Sequence, residues 1–359
     1  MGQRILMPWF IVCVLAVGAS TKQPTVTSGG IDLKGIGYSQ DVCSYEGKAR
    51  IEFLDSLRLL LSFPLHSAPC SGQSPQKWRA AVVDASGKTL NTLDLEPGQG
   101  VRAAPEGRIL LLTDKELRIL NYDFIAVQTL SWPKEADPSQ IPHGAWVWAT
   151  MTSIELTPSR QGFVIRGPYP KYGAAYFEGN PVKQTAEVDS CSQDFVVTDG
   201  GFACLDPSTP VRLVVHPMND VWHLDDSLFQ KREWVALPTP DRVLLLTNKF
   251  QLSRFIRPGN AEKVADLHWL APWLGYPRMS YALTSGATHR ILVSSWGARI
   301  PLSDSSGIGY WKRVVILDYL SGQIIFRQQF KIDSDFAISP DGHLLAVLEK
   351  SRLSVVALP

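Results

Sequence analysis

One short pattern recurs along the chain and limits the folds that it can adopt. Its clearest copy begins at Phe336, where a short strand meets the turn Pro340-Asp341-Gly342 and a wholly apolar strand follows to Leu348. A polar link and one further strand complete the copy. Strong copies also begin at Val101 and Trp234, and weaker ones begin at Ile51, Ile154, Asp194 and Tyr281. Seven copies over about 340 residues give about 49 residues each, which is a typical length for propeller-type repeats.

The segments within each copy indicate an all-β fold. Helical periodicity is almost absent, and strand-like segments run apolar for several positions between Gly, Pro, Asp and Asn. A middle strand that is apolar on both faces is buried between two neighbouring sheets, whereas a two-layer sandwich would alternate polar and apolar side chains. The sequence therefore predicts a seven-bladed β-propeller of four-stranded antiparallel blades.

The turn of the last copy resembles that of a known superfamily. Ser339-Pro340-Asp341-Gly342 followed by an apolar strand is similar to the repeat signature of the YVTN and WD-repeat-like propellers. That superfamily also includes the heavy chains of quinoprotein amine dehydrogenases. The resemblance covers most of residues 31–359 and implies the fold, not an activity. Regular Trp-Asp dipeptides at the repeat ends are missing from this sequence, so intracellular WD-repeat scaffolds are not the nearest comparison.

The last copy lacks an outer strand. After the turn at Pro340-Asp341-Gly342, the sequence provides only two more strands up to Pro359. Residues 30–38 are strand-like and precede the first copy. We expect them to supply the missing strand, because pairing the two ends of the chain removes an open sheet edge.

The first 19 residues have the features of a signal peptide. Arg4 precedes an apolar segment from Ile5 to Val17, and Gly18 and Ala19 add small residues at the expected cleavage site. The apolar segment is shorter than the about 20 residues of a membrane-spanning helix. We expect cleavage and export, which leaves residues 20–359 as a single propeller domain in the periplasm or outside the cell.

The exported part of the chain is predicted to carry no net charge. Removing Arg4 from 35 Lys and Arg leaves as many basic as acidic residues. A neutral chain lacks the basic surface that nucleic acid requires and the Lys/Arg clusters that bind membrane surfaces. We therefore expect binding to neither nucleic acid nor membranes. Separately, we expect the propeller to be a monomer.

Four cysteines follow the predicted cleavage site, and their even number favours two disulfides in an exported chain. The short Cys-x-x-Cys type of spacing that is typical of zinc sites is missing. Cys191 and Cys204 would join the first and second strands of the fourth copy. Cys43 precedes the first blade and Cys70 lies in the link between its second and third strands. Both positions belong at the same end of the ring, so we expect a second bond between them.

No catalytic or cofactor motif stands out in the sequence. Nucleophile elbows, HExxH, GxGxxG and calcium loops are missing. His216 and His223 flank Asp220, but an exposed connection explains them better than a metal site. We therefore predict no catalytic residue, metal or cofactor. The superfamily resemblance implies an alternative, an enzyme or the cofactor-free subunit of one, such as a quinoprotein dehydrogenase. A sugar-processing or lyase propeller would need Asp, Glu, His or Arg side chains converging at the ring centre.

The long links fall between particular strands. Connections in an antiparallel blade alternate between the two ends of the ring, and the links between first and second or third and fourth strands are short. The long links are 64–77, 167–172 and 297–310 between second and third strands, and 133–149 and 267–279 between blades. All five are expected at one end, which we call the insertion-bearing end.

These links are rich in aromatic residues, which rigidly supported loops use to bind partners. The candidate binding residues are Trp146, Trp148, Tyr169, Tyr172, Trp269, Trp273, Tyr310 and Trp311. Packing between blades is the alternative role for each of them. The sequence thus predicts an exported binding module for a protein, small-molecule or glycan ligand.

Overall fold

Each of the seven copies forms a four-stranded antiparallel sheet, including the weak copy at Asp194. The structure is a computed structural model. It describes residues 30–38, 49–65, 77–96, 98–134, 154–167, 173–191, 194–206, 212–223, 232–256, 261–271, 278–283, 288–299, 309–331 and 334–359. The sheets are the blades of a propeller, and the first strand of each copy lies innermost. The predicted fold is confirmed.

The strands of each blade follow one another in chain order, and blade 7 takes its outer strand from the N-terminal segment. Blades 1 to 3 consist of β2 (Arg50–Phe53), β3 (Arg58–Pro64), β4 (Trp78–Asp84) and β5 (Thr89–Leu95); β6 (Gly100–Ala103), β7 (Ile109–Leu112), β8 (Glu116–Leu120) and β9 (Ala126–Ser131); and β10 (Ile154–Leu156), β11 (Gly162–Arg166), β12 (Ala174–Glu178) and β13 (Lys183–Val188). Blades 4 and 5 consist of β14 (Asp194–Thr198), β15 (Gly201–Asp206), β16 (Arg212–His216) and β17 (Asp220–His223); and β18 (Arg232–Thr239), β19 (Arg242–Thr247), β20 (Gln251–Ile256) and β21 (Glu262–Asp266). Blades 6 and 7 consist of β22 (Arg278–Leu283), β23 (Arg290–Arg299), β24 (Gly309–Asp318) and β25 (Ile324–Lys331); and β26 (Asp335–Ile338), β27 (Leu344–Glu349), β28 (Arg352–Ala357) and β1 (Ile31–Asp32). Short 3-10 turns occur at Leu33–Ile36, Pro105–Gly107 and His268–Leu270.

Burial along the strands explains the apolar runs in the sequence. All four side chains of β7 are buried, as are four of the six in β19 and in β27. The outer strands β9 and β13 contain only exposed and half-buried positions. An inner strand packs against neighbouring blades on both faces, so it requires a continuous apolar sequence rather than alternation.

The buried apolar residues that the structure describes form seven clusters, one between each pair of neighbouring blades. The cluster between blades 2 and 3 contains Leu110 and Phe163, for example, and the cluster between blades 7 and 1 contains Phe53 and Leu353. Hydrophobic burial therefore stabilises the contacts between blades. The ring axis is lined largely by the innermost strands.

The N-terminal segment closes the ring, as predicted. β1 (Ile31–Asp32) pairs antiparallel with β28 and becomes the outer strand of blade 7. The strand is shorter than the predicted 30–38, because the chain enters the 3-10 turn Leu33–Ile36, which the Asp32 side chain caps. Leu33 is only 1% exposed and belongs to the core between blades 7 and 1.

One of the two predicted disulfides is present. Cys191 and Cys204 are bonded, and their Cα atoms lie 5.3 Å apart. The pairing is confirmed, but Cys191 precedes β14 instead of lying within it. The bond therefore joins the connection entering blade 4 to β15. Cys43 and Cys70 lie outside the described residues, and their pairing stays a prediction.

The predicted signal peptide, residues 1–19, also lies outside the described residues. Within the ranges that the structure describes, no helix is long and apolar enough to cross a membrane.

Candidate functional site

The long links join the strands that the sequence predicted. Links 64–77 and 167–172 connect second to third strands, while 133–149 lies between blades 2 and 3 and the predicted 267–279 is the link 267–277 between blades 5 and 6, since β22 begins at Arg278. The link in blade 6 is shorter than the predicted 297–310, because β23 and β24 extend their pairing to Arg299 and Gly309. In antiparallel blades, all of these connections leave from the same end of the ring.

Two of the predicted aromatic residues have described side chains. Trp269 is half-buried in the 3-10 turn His268–Leu270, and Trp311 of β24 is 5% exposed. Tyr310 precedes it in β24, opposite Ala298. The remaining candidates, Trp146, Trp148, Tyr169, Tyr172 and Trp273, lie outside the described residues.

Arg313 holds Trp269 and Trp311 together. Its guanidinium carbon lies 5.3 Å from the Trp269 ring centroid and 4.2 Å from that of Trp311. Its Nη1 donates to the carbonyl oxygens of Trp269 at 2.6 Å and Ala271 at 2.9 Å. Burial lowers the pKa of Arg313. The contacts attach the base of the link 267–277 to blade 6, so the ring of Trp311 packs against protein rather than facing a ligand freely.

The axis of the ring is a channel with a volume of about 470 Å³. Its walls come mainly from the innermost strands β2, β6, β10, β14, β18 and β26 and from the turn after β10. The charged residues that line it are Arg50, Glu52, Arg102, Glu155, Arg160 and Asp335. This is the convergence of carboxylates and arginines that the sequence alone could not establish.

Two channel carboxylates connect neighbouring blades. Glu52 Oε1 lies 2.7 Å from Arg102 Nε, and Glu52 Oε2 accepts a hydrogen bond from the Ala103 amide at 2.6 Å. Asp335 accepts a hydrogen bond from the Ile51 amide at 3.3 Å. Each carboxylate thus binds the innermost strand of the next blade, and together they fix the relative positions of blades 7, 1 and 2.

The third channel carboxylate, Glu155, lies among positive charges. Arg102, Arg166 and Arg50 all favour its ionised form, but burial is the larger effect and raises the pKa of Glu155. Burial likewise raises the pKa of Asp335. Burial and the charge of Arg102 lower the pKa of Arg50 to about 10, which leaves its guanidinium charged at neutral pH. Arg50 therefore stays charged at neutral pH, whereas burial favours the neutral forms of Glu155 and Asp335.

Arg160 lines the channel from the turn between β10 and β11. Its φ of 59° is left-handed, which non-glycine residues adopt uncommonly, and its amide donates to the Thr157 carbonyl at 2.8 Å. The side-chain Nη1 is buried and has no hydrogen-bond partner among the described residues. Burial lowers the pKa of Arg160 to about 10, against the opposing charges of Glu52 and Asp55. The guanidinium is therefore charged at neutral pH and has a donor available.

Sequence reasoning did not select any residue of this channel. A signal was present, because Arg50 and Glu52 alternate with the buried Ile51 and Phe53 in β2. Alternate side chains of a strand face the same side, so the two charges share one face. Glu155 in β10 is a similar charged position, but its convergence with them requires the ring geometry.

The histidines considered in the sequence occupy different surroundings. The His216 ring stacks on Phe202 with centroids 5.1 Å apart, and burial lowers the pKa of His216. His223 is exposed at the end of β17. Within the described parts of the chain, no group of three or more His, Cys, Asp or Glu residues is placed to hold a metal ion.

Comparisons with known proteins show similarity at the level of the fold. No family model and no curated protein matches the chain. A chain in the crystal structure of the mitotic checkpoint complex is 12% identical over 99% of both chains, with a TM-score of 0.51. The RRP9 WD40 repeats are 9% identical over 87% of this chain and 96% of theirs, with a TM-score of 0.49. The Neurospora crassa Pan2 WD40 domain is 8% identical over 94% and 96% of the two chains, with a TM-score of 0.40.

The shared property is the WD40-type propeller fold. This confirms the resemblance expected from the repeat turns, which concerned the fold alone.

Proposed function

We propose that this protein is an exported, non-catalytic binding module that holds a partner at its insertion-bearing end. The observation that carries the proposal is the placement of the long links, which all connect strands at one end of the ring. The ring itself is held together by the apolar clusters between neighbouring blades. A loop whose ends are held by a rigid scaffold loses less conformational entropy on binding than a loop on a flexible support. The Arg313 contacts with Trp269 and Trp311 provide such a base for one link.

Two features support an extracytoplasmic location. The signal-peptide pattern of residues 1–19 predicts export. The Cys191–Cys204 disulfide supports it independently, because structural disulfides persist in oxidising compartments and are rare in the cytosol. Fractionation of cells that express the full chain, followed by N-terminal sequencing of the product, tests this part of the proposal. Retention of residues 1–19 on a cytosolic product would contradict it.

The charged channel is the observation that favours the enzymatic alternative. Two of its three carboxylates, however, already accept hydrogen bonds from backbone amides of the neighbouring blade. Those contacts suit a structural role better than proton transfer, which requires a carboxylate within reach of the substrate. We therefore prefer binding to catalysis.

The binding surface can be tested with matched variants at the two ends of the ring. Trp146→Ala with Trp148→Ala changes the link 133–149 at the insertion-bearing end. Tyr122→Ala with Ile125→Ala removes exposed apolar side chains from a turn between third and fourth strands, at the opposite end. The immobilised proteins are compared by quantitative mass spectrometry of material captured from an extracytoplasmic extract.

We expect the partner that wild type enriches to be depleted about tenfold or more by the tryptophan variant, a loss of at least about 1.4 kcal/mol of binding free energy. The variant at the opposite end should retain it. Equal capture by both variants, or loss only with the Tyr122 and Ile125 variant, would overturn the assignment of the binding surface.

A further inference from the structure

The axial channel contains a charged donor for which the described residues provide no acceptor. Arg160 Nη1 is buried, and no described residue accepts a hydrogen bond from it. An unsatisfied buried donor costs free energy, and the cost is greater for a charged group. The backbone of this turn is braced, since the Thr157 hydroxyl accepts a hydrogen bond from the Gly162 amide at 3.1 Å and donates to the Gly162 carbonyl at 3.2 Å. The backbone at Arg160 is thus fixed, while its Nη1 has no partner among the residues that the structure describes.

Further positive charge lies close to Arg160. Burial is the main cause that lowers the pKa of Arg160 and of Arg50, and the charge of Arg102 lowers both further, so Arg102 lies near both guanidinium groups. Two carboxylates oppose this effect at Arg160, but both are already engaged: Glu52 by Arg102 and the Ala103 amide, and Asp55 by Arg58. An anion between the arginines would relieve their mutual repulsion and accept the unused hydrogen bond.

We propose that the channel binds an oxyanion between Arg160 and Arg102, on a small molecule or at the end of an extended chain. A guanidinium presents its N–H groups in a planar fork that matches carboxylate, phosphate and sulfate. The channel volume of about 470 Å³ lies within the about 300–1,000 Å³ of small-molecule sites. Arg160 belongs to a turn between first and second strands, which lies at the end opposite the long links. The site is therefore independent of the proposed function.

The experiment measures binding of defined anions to the full, non-reduced protein. Inorganic phosphate and sulfate represent free oxyanions, and an acetylated dipeptide with a free C-terminus represents a carboxylate on a chain. Isothermal titration calorimetry is performed at constant ionic strength set with sodium chloride. We expect saturable binding of at least one probe, with a Kd below about 1 mM.

Arg160→Gln should weaken that binding about tenfold or more, and Arg160→Lys should weaken it less, because charge remains while the fork is lost. Arg118→Gln is the matched control, since Arg118 is 47% exposed and pairs with Glu116 on β8. It should bind like wild type. Binding of phosphate or sulfate identifies a free oxyanion as the ligand class, whereas binding of the dipeptide alone identifies a chain carboxylate.

A second measurement does not depend on folded variants. Phosphorus-31 line broadening of inorganic phosphate by the wild-type protein should be reversed by competing sulfate, or by the dipeptide if it binds more tightly. Absence of saturable binding for all three probes would overturn the proposal. Equal affinity of wild type and a folded Arg160→Gln variant would overturn it as well.

Discussion

Replacing Leu33 with alanine should weaken the ring where its two ends meet. Leu33 follows the closing strand directly, is 1% exposed, and shares a core with residues of blades 7 and 1. Deleting a buried leucine side chain costs about 2–5 kcal/mol, depending on how far the site can collapse. Lys34 and Gly35 beside it are exposed, so the turn can relax. We therefore expect the lower part of that range, about 2–3 kcal/mol.

Leu57→Ala is the matched control, because it deletes the same atoms from a side chain that is 70% exposed. Its cost should stay within about 0.5 kcal/mol. Urea unfolding of both variants under non-reducing conditions, followed by tryptophan fluorescence, gives the two free energies of unfolding. Hydrogen exchange should also accelerate in both β2 and β28 of Leu33→Ala. If Leu33→Ala costs no more than the control, the closing segment does not stabilise the ring and the reasoning is wrong.

Three further predictions concern single positions. In thermal unfolding, Gly322→Ala should lower the free energy of unfolding by about 2 kcal/mol or more, because φ is +75° and a Cβ would overlap the carbonyl oxygen of Val264 in blade 5. Gly200→Ala is the control, since φ is +79° but no described atom lies within 4 Å of the added Cβ. It should cost only about 1 kcal/mol. Cys191→Ser should lower the free energy of unfolding by about 3 kcal/mol under non-reducing conditions. Under reducing conditions wild type also lacks the Cys191–Cys204 bond, so the difference should disappear. A difference of the same size under both conditions would contradict the prediction. Burial raises the pKa of Glu155, so the folded state holds that proton more tightly than the unfolded chain, and stability should fall as pH rises from the ordinary pKa of 4.5 towards the raised one. Glu155→Gln should flatten that part of a profile of unfolding free energy against pH. An unchanged slope would refute the assignment.

The blades could be predicted from sequence because a local turn precedes a strand buried on both faces. Even the copy at Asp194, whose turn lacks proline, keeps the buried Phe202 and Leu205 in its second strand. The length of the closing strand was not predictable in this way. Asp32 caps a 3-10 turn there and the left-handed Gly37 ends it, so the turn depends on local contacts that the strand-like composition does not indicate.

The channel site was harder to predict because its residues are far apart in sequence. Arg50 and Asp335 belong to the first and last copies and meet only when the ring is closed. Arg160 is similarly ordinary in sequence, since a polar residue in a turn is normally exposed to solvent. Its burial results from the convergence of the first strands on the axis, which no local pattern encodes.

The hydrogen bond from Ile51 to Asp335 joins groups 284 positions apart in the chain. During synthesis, the apolar face of blade 1 that packs against blade 7 therefore stays exposed until nearly the whole polypeptide has been made. Long-range pairing of this kind slows folding, and an uncovered face is accessible to chaperones and proteases meanwhile. A chain that stops short of residue 353 lacks the partner of Ile31 and leaves that seam open. We therefore expect a chain truncated before residue 353 to be degraded faster than the full chain, because the apolar face of blade 1 stays exposed in it.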